Sequence, residues 1–437
     1  MSISSSFQTT RQSSVLHSLA RLFRKLYGKN SLPSPPPQTD GKYDVFLSVW
    51  NVFRNQEQRR GFVRNGLSVH WTGNLCPPVR NEVSKRSFGW FPFFVFMSAF
   101  FLKTRSLGVH ASMWLFNVFS GSRRLNARMV WAYVDFNPWL LRRAKRRGIP
   151  IVLDNPIAHM DDYYALKSEF ETCGVYWADW WIRRWVSAAK REYALADWFN
   201  VGSSFVKESL VARGLPAERI VVNHSGVNME RWRTAREMRS RDSRAPFVFV
   251  FTGSSSPRKG IQYLLRAWKA ASLEKAELWI CGASEKSMDW NRVCHGLPEH
   301  VRFFGRVDHD RLVELYSRAS VYVLPSLLEG LARTGLEAMA AGLPVIVTKE
   351  TGLTDFVSDG VEGWIIPSRD ARALAERFNW CATHPDAVRS AGDAAFRRME
   401  GKDFAAYGDQ CATIAKQIIE EYAPLLQLPS PRENLFY

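Results

Sequence analysis

The chain has 437 residues, 46% of them hydrophobic and 23% charged, and a formal net charge of +17. That length and composition describe an ordinary globular chain of two or three domains. Its six cysteines form no CxxC pair and its nine histidines no HxxxH or HExxH pattern, which argues against a zinc site and for free thiols in a reducing compartment.

Residues 1–40 read as a flexible basic tail, rich in Ser and Pro and free of acidic residues before Asp40. Within it, 14–29 has helical spacing. Val15, Leu16, Leu19, Leu22, Phe23, Leu26 and Tyr27 share one stripe, and Arg21, Arg24 and Lys25 lie off it. No apolar core of a secretory signal is visible there. The first 150 residues hold 23 Lys/Arg and 5 Asp/Glu, so nearly all the net charge lies in the first third. Such a one-sided field suits an anionic partner. The apolar run 88–102 is too short to span a bilayer and contains Pro92. It reads as a buried segment or as extra aromatic contact with a membrane.

From residue 41 the pattern alternates. The expected strands are "YDVFLSV", "LSVHWTG", "RMVWAYVDF", "IPIVLD", "DWFNVGS" and "RIVVNHSG". Between them lie the expected helices "NQEQRRGFVRNG", "PWLLRRAKRRG", "WIRRWVSAAKREYALA" and "SFVKESLVARG". The polar stretch 231–245 breaks this rhythm and reads as a linker. A second series follows: "PFVFVFTG", "IQYLLRAWKAA", "AELWICG", "VRFFGRV", "DRLVELYSRA", "VYVLPS", "GLEAMAAG", "LPVIVT", "GWIIP" and "ARALAERF". The expected organisation is therefore a domain over 41–230, a linker over 231–245, a second domain over 246–403, and a C-terminal helix with a tail over 404–437. Apolar strands alternating with helices predict two doubly wound α/β domains of Rossmann type facing across a cleft, with ligands at the carboxyl ends of the strands.

Two stretches in the second domain carry chemistry. In "LLEGLARTGLEAMAAGLPVIVT" the carboxylates Glu329 and Glu337 stand where a loop enters a buried helix. "TGLE" is also a capping-box pattern, so Glu337 has a purely structural alternative. A carboxylate that accepts two hydrogen bonds equally suits a vicinal diol. "FTGSSSPRKG" ends a strand, turns through Gly and Ser, and places Arg258 and Lys259 before a helix. Loop amides with a cation there can hold phosphate, or the pair can be a solvated turn. The "DHD" at 308–310 directly precedes a helical pattern, which makes Asp308 a helix cap rather than a metal ligand.

Together these pieces resemble the family 4 retaining, nucleotide-sugar-dependent glycosyltransferases of GT-B fold. The resemblance is densest from Phe247 to about Ile366, where "VYVLPS", the paired-glutamate stretch, "AGLPVIVT" and "GLTDFVSDGVEGWIIP" follow in order. It extends more weakly back to Trp131, with "ERIVVNHSGVNMERW" leading out of the first domain and Asn228 where Asp is more usual. The resemblance implies that Glu337 holds a ribose and that Glu329 faces the transferred sugar. It also puts the backbone amides of Arg333 and Thr334 toward the distal phosphate, in place of the family's apolar residues. Gly253, Ser254, Arg258, Lys259, Val307 and Gly330 would complete the donor site. Lys259 matches the family's lysine, whereas Ser254 stands where its arginine is usual and Arg258 is a substitute. His159, in the loop "NPIAHM", is similar to the histidine that contacts the donor sugar. The glycine-rich loop that often follows the first strand is replaced here by "VWNVFRNQ".

Retaining chemistry proceeds by two displacements or by attack on the face the leaving group departs from. In the family, the leaving phosphate itself helps to deprotonate the acceptor. The expectation is sugar transfer without metal or other cofactor, in surface polysaccharide or glycolipid assembly. The expected partners are a nucleotide-sugar donor, a sugar or lipid-linked acceptor, and an anionic membrane at the cytoplasmic face. Alternatives are a sugar-nucleotide epimerase of the same architecture, a non-catalytic basic protein bound to membrane or nucleic acid, and a catalytically dead scaffold. No RRM, KH, zinc-finger or helix-turn-helix signature supports nucleic acid. The tail alternatively reads as a mitochondrial presequence.

Overall fold

A computed structural model of the chain describes residues 43–49, 52–73, 84–86, 125–134, 137–239, 246–283, 288–294 and 296–426. The expected tail over 1–40, its helix over 14–29 and the aromatic run 88–102 lie outside these residues.

The strands form two parallel sheets. The first comprises β1 (Tyr43–Val49), β2 (Val69–Gly73), β3 (Ser84–Arg86), β4 (Ala127–Tyr133), β5 (Ile151–Asn155), β6 (Trp198–Val201) and β7 (Ile220–Val222), in the order β3-β2-β1-β4-β5-β6-β7. The second comprises β8 (Phe247–Thr252), β9 (Ala276–Cys281), β10 (Val301–Gly305), β11 (Val321–Leu324), β12 (Val345–Thr348) and β13 (Gly363–Ile366), in the order β10-β9-β8-β11-β12-β13. In each sheet the winding direction reverses once, between β1 and β4 and between β8 and β11. A crevice forms at such a switch point. Helices cover both faces, so central strands are buried on both sides and read as unbroken apolar runs: β5, β11 and β12 are buried along their whole length.

One core fills the second domain, with Phe249, Trp268 and Phe378 in mutual ring contact. The first sheet has a core on each face. One packs under the helices Pro138–Arg146, Asp179–Tyr193 and Ser204–Ala212. The other packs under the helix Val52–Arg64 and under Phe404–Leu426, the last helix in the chain. Cys411, Ile414, Ile418 and Ile419 of that last helix meet Val45, Leu47 and Trp131 of the first sheet. The C-terminal helix, expected over roughly 404–422, is thus a structural part of the first domain. It crosses the helix Val52–Arg64 so closely that a Cβ on Gly61 would lie 2.0 Å from the carbonyl oxygen of Gly408.

The stretch 231–245, expected as a linker, is in part helical. Met229–Glu237 is a helix, and the Asn228 side chain accepts the Arg231 N–H at 3.0 Å. Trp232 and Ala235, three residues apart, are buried on its inner face. The surrounding arginines hid this short apolar stripe. Arg239 just beyond it donates to the carbonyls of Ala341 and Gly342 (3.0 and 2.7 Å), which close the helix Arg333–Ala340. Four further helices were not expected: Met160–Tyr164, Lys167–Thr172, Trp290–Cys294 and Pro385–Met399. The five described cysteines are free and buried. Among the described residues no helix is long and apolar enough to cross a membrane.

Candidate active site

β8 leads into the Gly/Ser loop. A tight turn over Pro257–Lys259 ends at Gly260, whose φ of 73° is left-handed and where a Cβ would lie 1.9 Å from the Pro325 carbonyl oxygen. Only glycine fits there, and its place sets the helix Ile261–Ala271 and the two cations before it. Arg258 Nη1 donates to the Leu328 carbonyl at 2.7 Å and to Glu329 Oε1 at 2.6 Å. Lys259 Nζ reaches the same oxygen at 2.7 Å, and the Ser326 hydroxyl approaches it at 3.3 Å. Glu329 is buried. Burial would raise its pKa, but Lys259 and Arg258 outweigh that and hold the carboxyl below its ordinary value. Gly253 lies beside this cluster, with a hypothetical Cβ 3.5 Å from Lys259 Cε, while Ser254 is exposed.

The helix Arg333–Ala340 starts after Ala332, which supplies no side-chain cap. The capping box that was the structural alternative for Thr334 and Glu337 therefore does not form. Thr334 sits inside the first turn, and its hydroxyl instead bonds the Tyr322 hydroxyl at 2.7 Å. Glu337, 9% exposed, stands one turn further on. Burial pushes its carboxyl up to about 7, against the opposing pull of Arg333 and Arg231. It lines a cavity of about 590 Å³ between the domains. Arg333, Arg231 and Leu331 share that lining, and Asp154, Asn155 and Asn200 face them from the carboxyl ends of β5 and β6.

The expected residues thus fall into two groups. Arg258, Lys259 and Glu329 form one ionic cluster beside Gly253. Arg333 and Glu337 line the cavity, with Thr334 joined to the tyrosines behind it. Gly330 sits where the domains touch: Ser203 Oγ donates to its carbonyl at 2.5 Å, and a Cβ there would lie 1.8 Å from the Pro156 carbonyl oxygen. Val307 is half-buried against the second core. His159 has the surroundings of a helix cap. It is 4% exposed, its Nδ1 accepts the Asp161 N–H at 3.1 Å at the start of Met160–Tyr164, and its ring lies 5.1 Å from that of Tyr193. It is not among the cavity-lining residues. Asp308 accepts the Arg311 N–H at 2.8 Å and caps His309–Arg318, as its position in the sequence suggested.

Some residues had drawn no attention. Asp154 and Asn200 are polar ends of otherwise apolar strands, and that break in hydrophobicity was their available signal. Asp355 of "GLTDF" is another. Its Oδ2 takes the Ser204 N–H at 2.7 Å and His224 Nε2 at 2.8 Å, tying the second domain to the first.

Residues 235–398 match the family described as "Glycosyl transferases group 1". The chain is 31% identical over 227 residues to a D-inositol 3-phosphate glycosyltransferase of Streptomyces avermitilis, covering 47% of this chain and 49% of that one. It is 27% identical over 180 residues to the amylovoran biosynthesis glycosyltransferase AmsK of Erwinia amylovora, covering 39% and 43%. It spans about half the length of the curated relatives it matches. In fold it is similar to HepE of Anabaena, solved with UDP and glucose. The TM-score is 0.57 at 15% identity, over 86% of this chain and all of that one. The two-domain α/β architecture is that of the GT-B proteins.

Proposed function

We propose that the protein is a retaining glycosyltransferase of family 4 type, moving a sugar from a nucleoside diphosphate to an acceptor hydroxyl. The observation that carries this reading is the pairing of Lys259 and Arg258 with Glu329 close to a buried, raised-pKa Glu337, inside the segment that matches the group 1 family. Glu337 accepts two hydrogen bonds from the ribose diol. The diphosphate competes with Glu329 for Lys259 and Arg258. Those cations and the first-turn amides of Arg333 and Thr334 stabilise its charge as the glycosidic bond breaks. Glu329, relieved of part of its pairing, turns to the hydroxyls of the transferred sugar. The leaving phosphate takes the acceptor proton on the same face.

No metal or other cofactor enters this account, because side-chain cations occupy the role a metal would have. The relatives' names favour surface polysaccharide or glycolipid assembly. The basic first third favours work at the cytoplasmic face of an anionic membrane. The exposed Trp139 on the arginine-rich helix Pro138–Arg146 supports that orientation.

The test is a thermal-shift panel of nucleotide sugars in EDTA. A ligand at about 100 times its dissociation constant adds about 2.7 kcal/mol. A clear shift with one donor, followed by transfer to an acceptor with retained anomeric configuration, is the expected result. Inversion or strict dependence on added Mn²⁺ overturns the corresponding part. Release of epimerised sugar without any acceptor moves the assignment to an epimerase.

A further inference from the structure

The first domain's side of the cleft carries a buried polar cluster that the donor chemistry does not use. Asp154 and Asn200 are register partners on adjacent strands, so their side chains share one face of the sheet. The helix Val52–Arg64 places Gln58 over them. Asn200 Nδ2 donates to Asp154 Oδ1 at 2.5 Å, and Gln58 Nε2 to Asp154 Oδ2 at 3.3 Å. All three are buried, with Gln58 fully inaccessible, Asn200 at 5% and Asp154 at 6% exposure. Each amide donates one N–H to the carboxylate. Among the described residues their oxygens, Gln58 Oε1 and Asn200 Oδ1, have no hydrogen-bond partner. A buried orphan acceptor costs free energy unless a ligand or water satisfies it. Asp154 and Asn200 both line the cavity, so a ligand within it can reach them.

The chemistry of this floor is one-sided. Its spare groups are acceptors: the remaining lone pairs of Asp154, Asn200 Oδ1 and the nearby carboxylate of Glu57, which also pairs with the exposed Arg60. The cations lining the same cavity, Arg231 and Arg333, belong to the opposite wall beside Glu337. An anion is welcome at that wall and repelled at this one. Burial lifts the Asp154 carboxyl to about 6, so it is ionised at neutral pH.

We propose that Asp154, positioned by Asn200 and Gln58, selects a neutral, hydroxyl-bearing sugar as the acceptor group at this floor and rejects a phosphorylated one. This rests on the glycosyltransferase reading. A sugar hydroxyl can donate to Asp154 or to Asn200 Oδ1. A phosphate offers only acceptor oxygens to acceptor oxygens, and adds like charge.

The test uses the full chain saturated with UDP or GDP and titrated calorimetrically with methyl α-glucoside, methyl α-galactoside, methyl α-mannoside, glucose 6-phosphate and mannose 6-phosphate. At least one neutral glycoside is expected to bind, and its phosphorylated counterpart to bind about tenfold or more weakly. Asp154→Asn is expected to weaken the neutral glycoside about tenfold and to close the gap to the phosphorylated sugar. A purely structural role for Asp154 would leave that charge discrimination unchanged. Asn200→Ser is expected to weaken the neutral glycoside while keeping the gap, and thermal melting monitors the folding of both variants. No binding by any neutral glycoside, equal binding of the phosphorylated sugars, or an unchanged gap in Asp154→Asn overturns the inference. Failure of the wild-type chain to bind any nucleotide or nucleotide sugar overturns instead the reading it rests on.

Discussion

Glu337 is ill at ease in the ligand-free chain. Its folded pKa, about 7, lies above the ordinary carboxylate value, so between roughly pH 4.5 and 7 the folded chain holds a proton that the unfolded chain has lost. Stability from this group is therefore present at low pH and lost as pH rises through 7. Glu337→Gln is expected to raise the melting temperature more at pH 8 than at pH 5, and to weaken nucleotide binding. Equal gains at both pH values would show that burial is not the cause. A diol favours the ionised carboxylate, so nucleotide affinity should climb by up to about tenfold per pH unit below 7 and then level off. Glu329 behaves in the opposite way, held ionised by two cations. Lys259→Ala leaves it Arg258 as a partner. That variant should melt within a few degrees of the wild type while transfer falls roughly 10²-fold or more. Glu329→Ala abandons two cations in a site where Lys259 has a side-chain exposure of 12%. It should lose about 2 kcal/mol or more of stability as well as activity. A variant at either position that transfers at the wild-type rate would remove that residue from the mechanism.

Helix packing sets the most sensitive joints. The crossing of Val52–Arg64 with Phe404–Leu426 depends on glycine at both contact points, because a Cβ on Gly408 would lie 2.3 Å from the Glu57 carbonyl oxygen. Gly61→Val should force the helices apart and cost several kcal/mol. The expected sign is a lower melting temperature with faster proteolysis of the C-terminal helix. The reach of the damage follows from placement: one turn before Gly61, Glu57 lines the cavity and Gln58 holds the floor residue Asp154. A chain ending at residue 403 would expose Val45, Leu47 and Trp131 and is expected not to fold stably.

Between the domains, Asp355 acts as a tie. Burial would raise its pKa, but the bonds from His224 and Ser204 more than offset this and lower it. Its stabilising effect is therefore present above the ordinary carboxylate value and is lost as pH falls through the folded pKa. Asp355→Ala should loosen the pairing of domains, read as a larger radius of gyration in solution scattering, and should reduce turnover through misalignment of the two cleft walls. An unchanged scattering profile together with unchanged turnover would deny it that role.

What was legible in the order of residues was local. Apolar runs such as "VYVLPS" and "LPVIVT" announced buried parallel strands, and the spacing of Glu329, Glu337, Arg258 and Lys259 marked a loop able to meet an anion. These signals lie within a few turns of chain, where periodicity and capping act. Three features were not legible. The polar stretch after Asn228 hid a helix, because two buried residues, Trp232 and Ala235, are too weak a stripe among so many arginines. The last helix could not be assigned to the first domain, since its partners Val45, Leu47 and Trp131 lie far earlier in the chain. The cluster of Gln58, Asp154 and Asn200 joins positions 96 and 46 residues apart. Its meaning rests on burial and on two amide oxygens without partners among the described residues, and those arise when distant strands and helices close over one another.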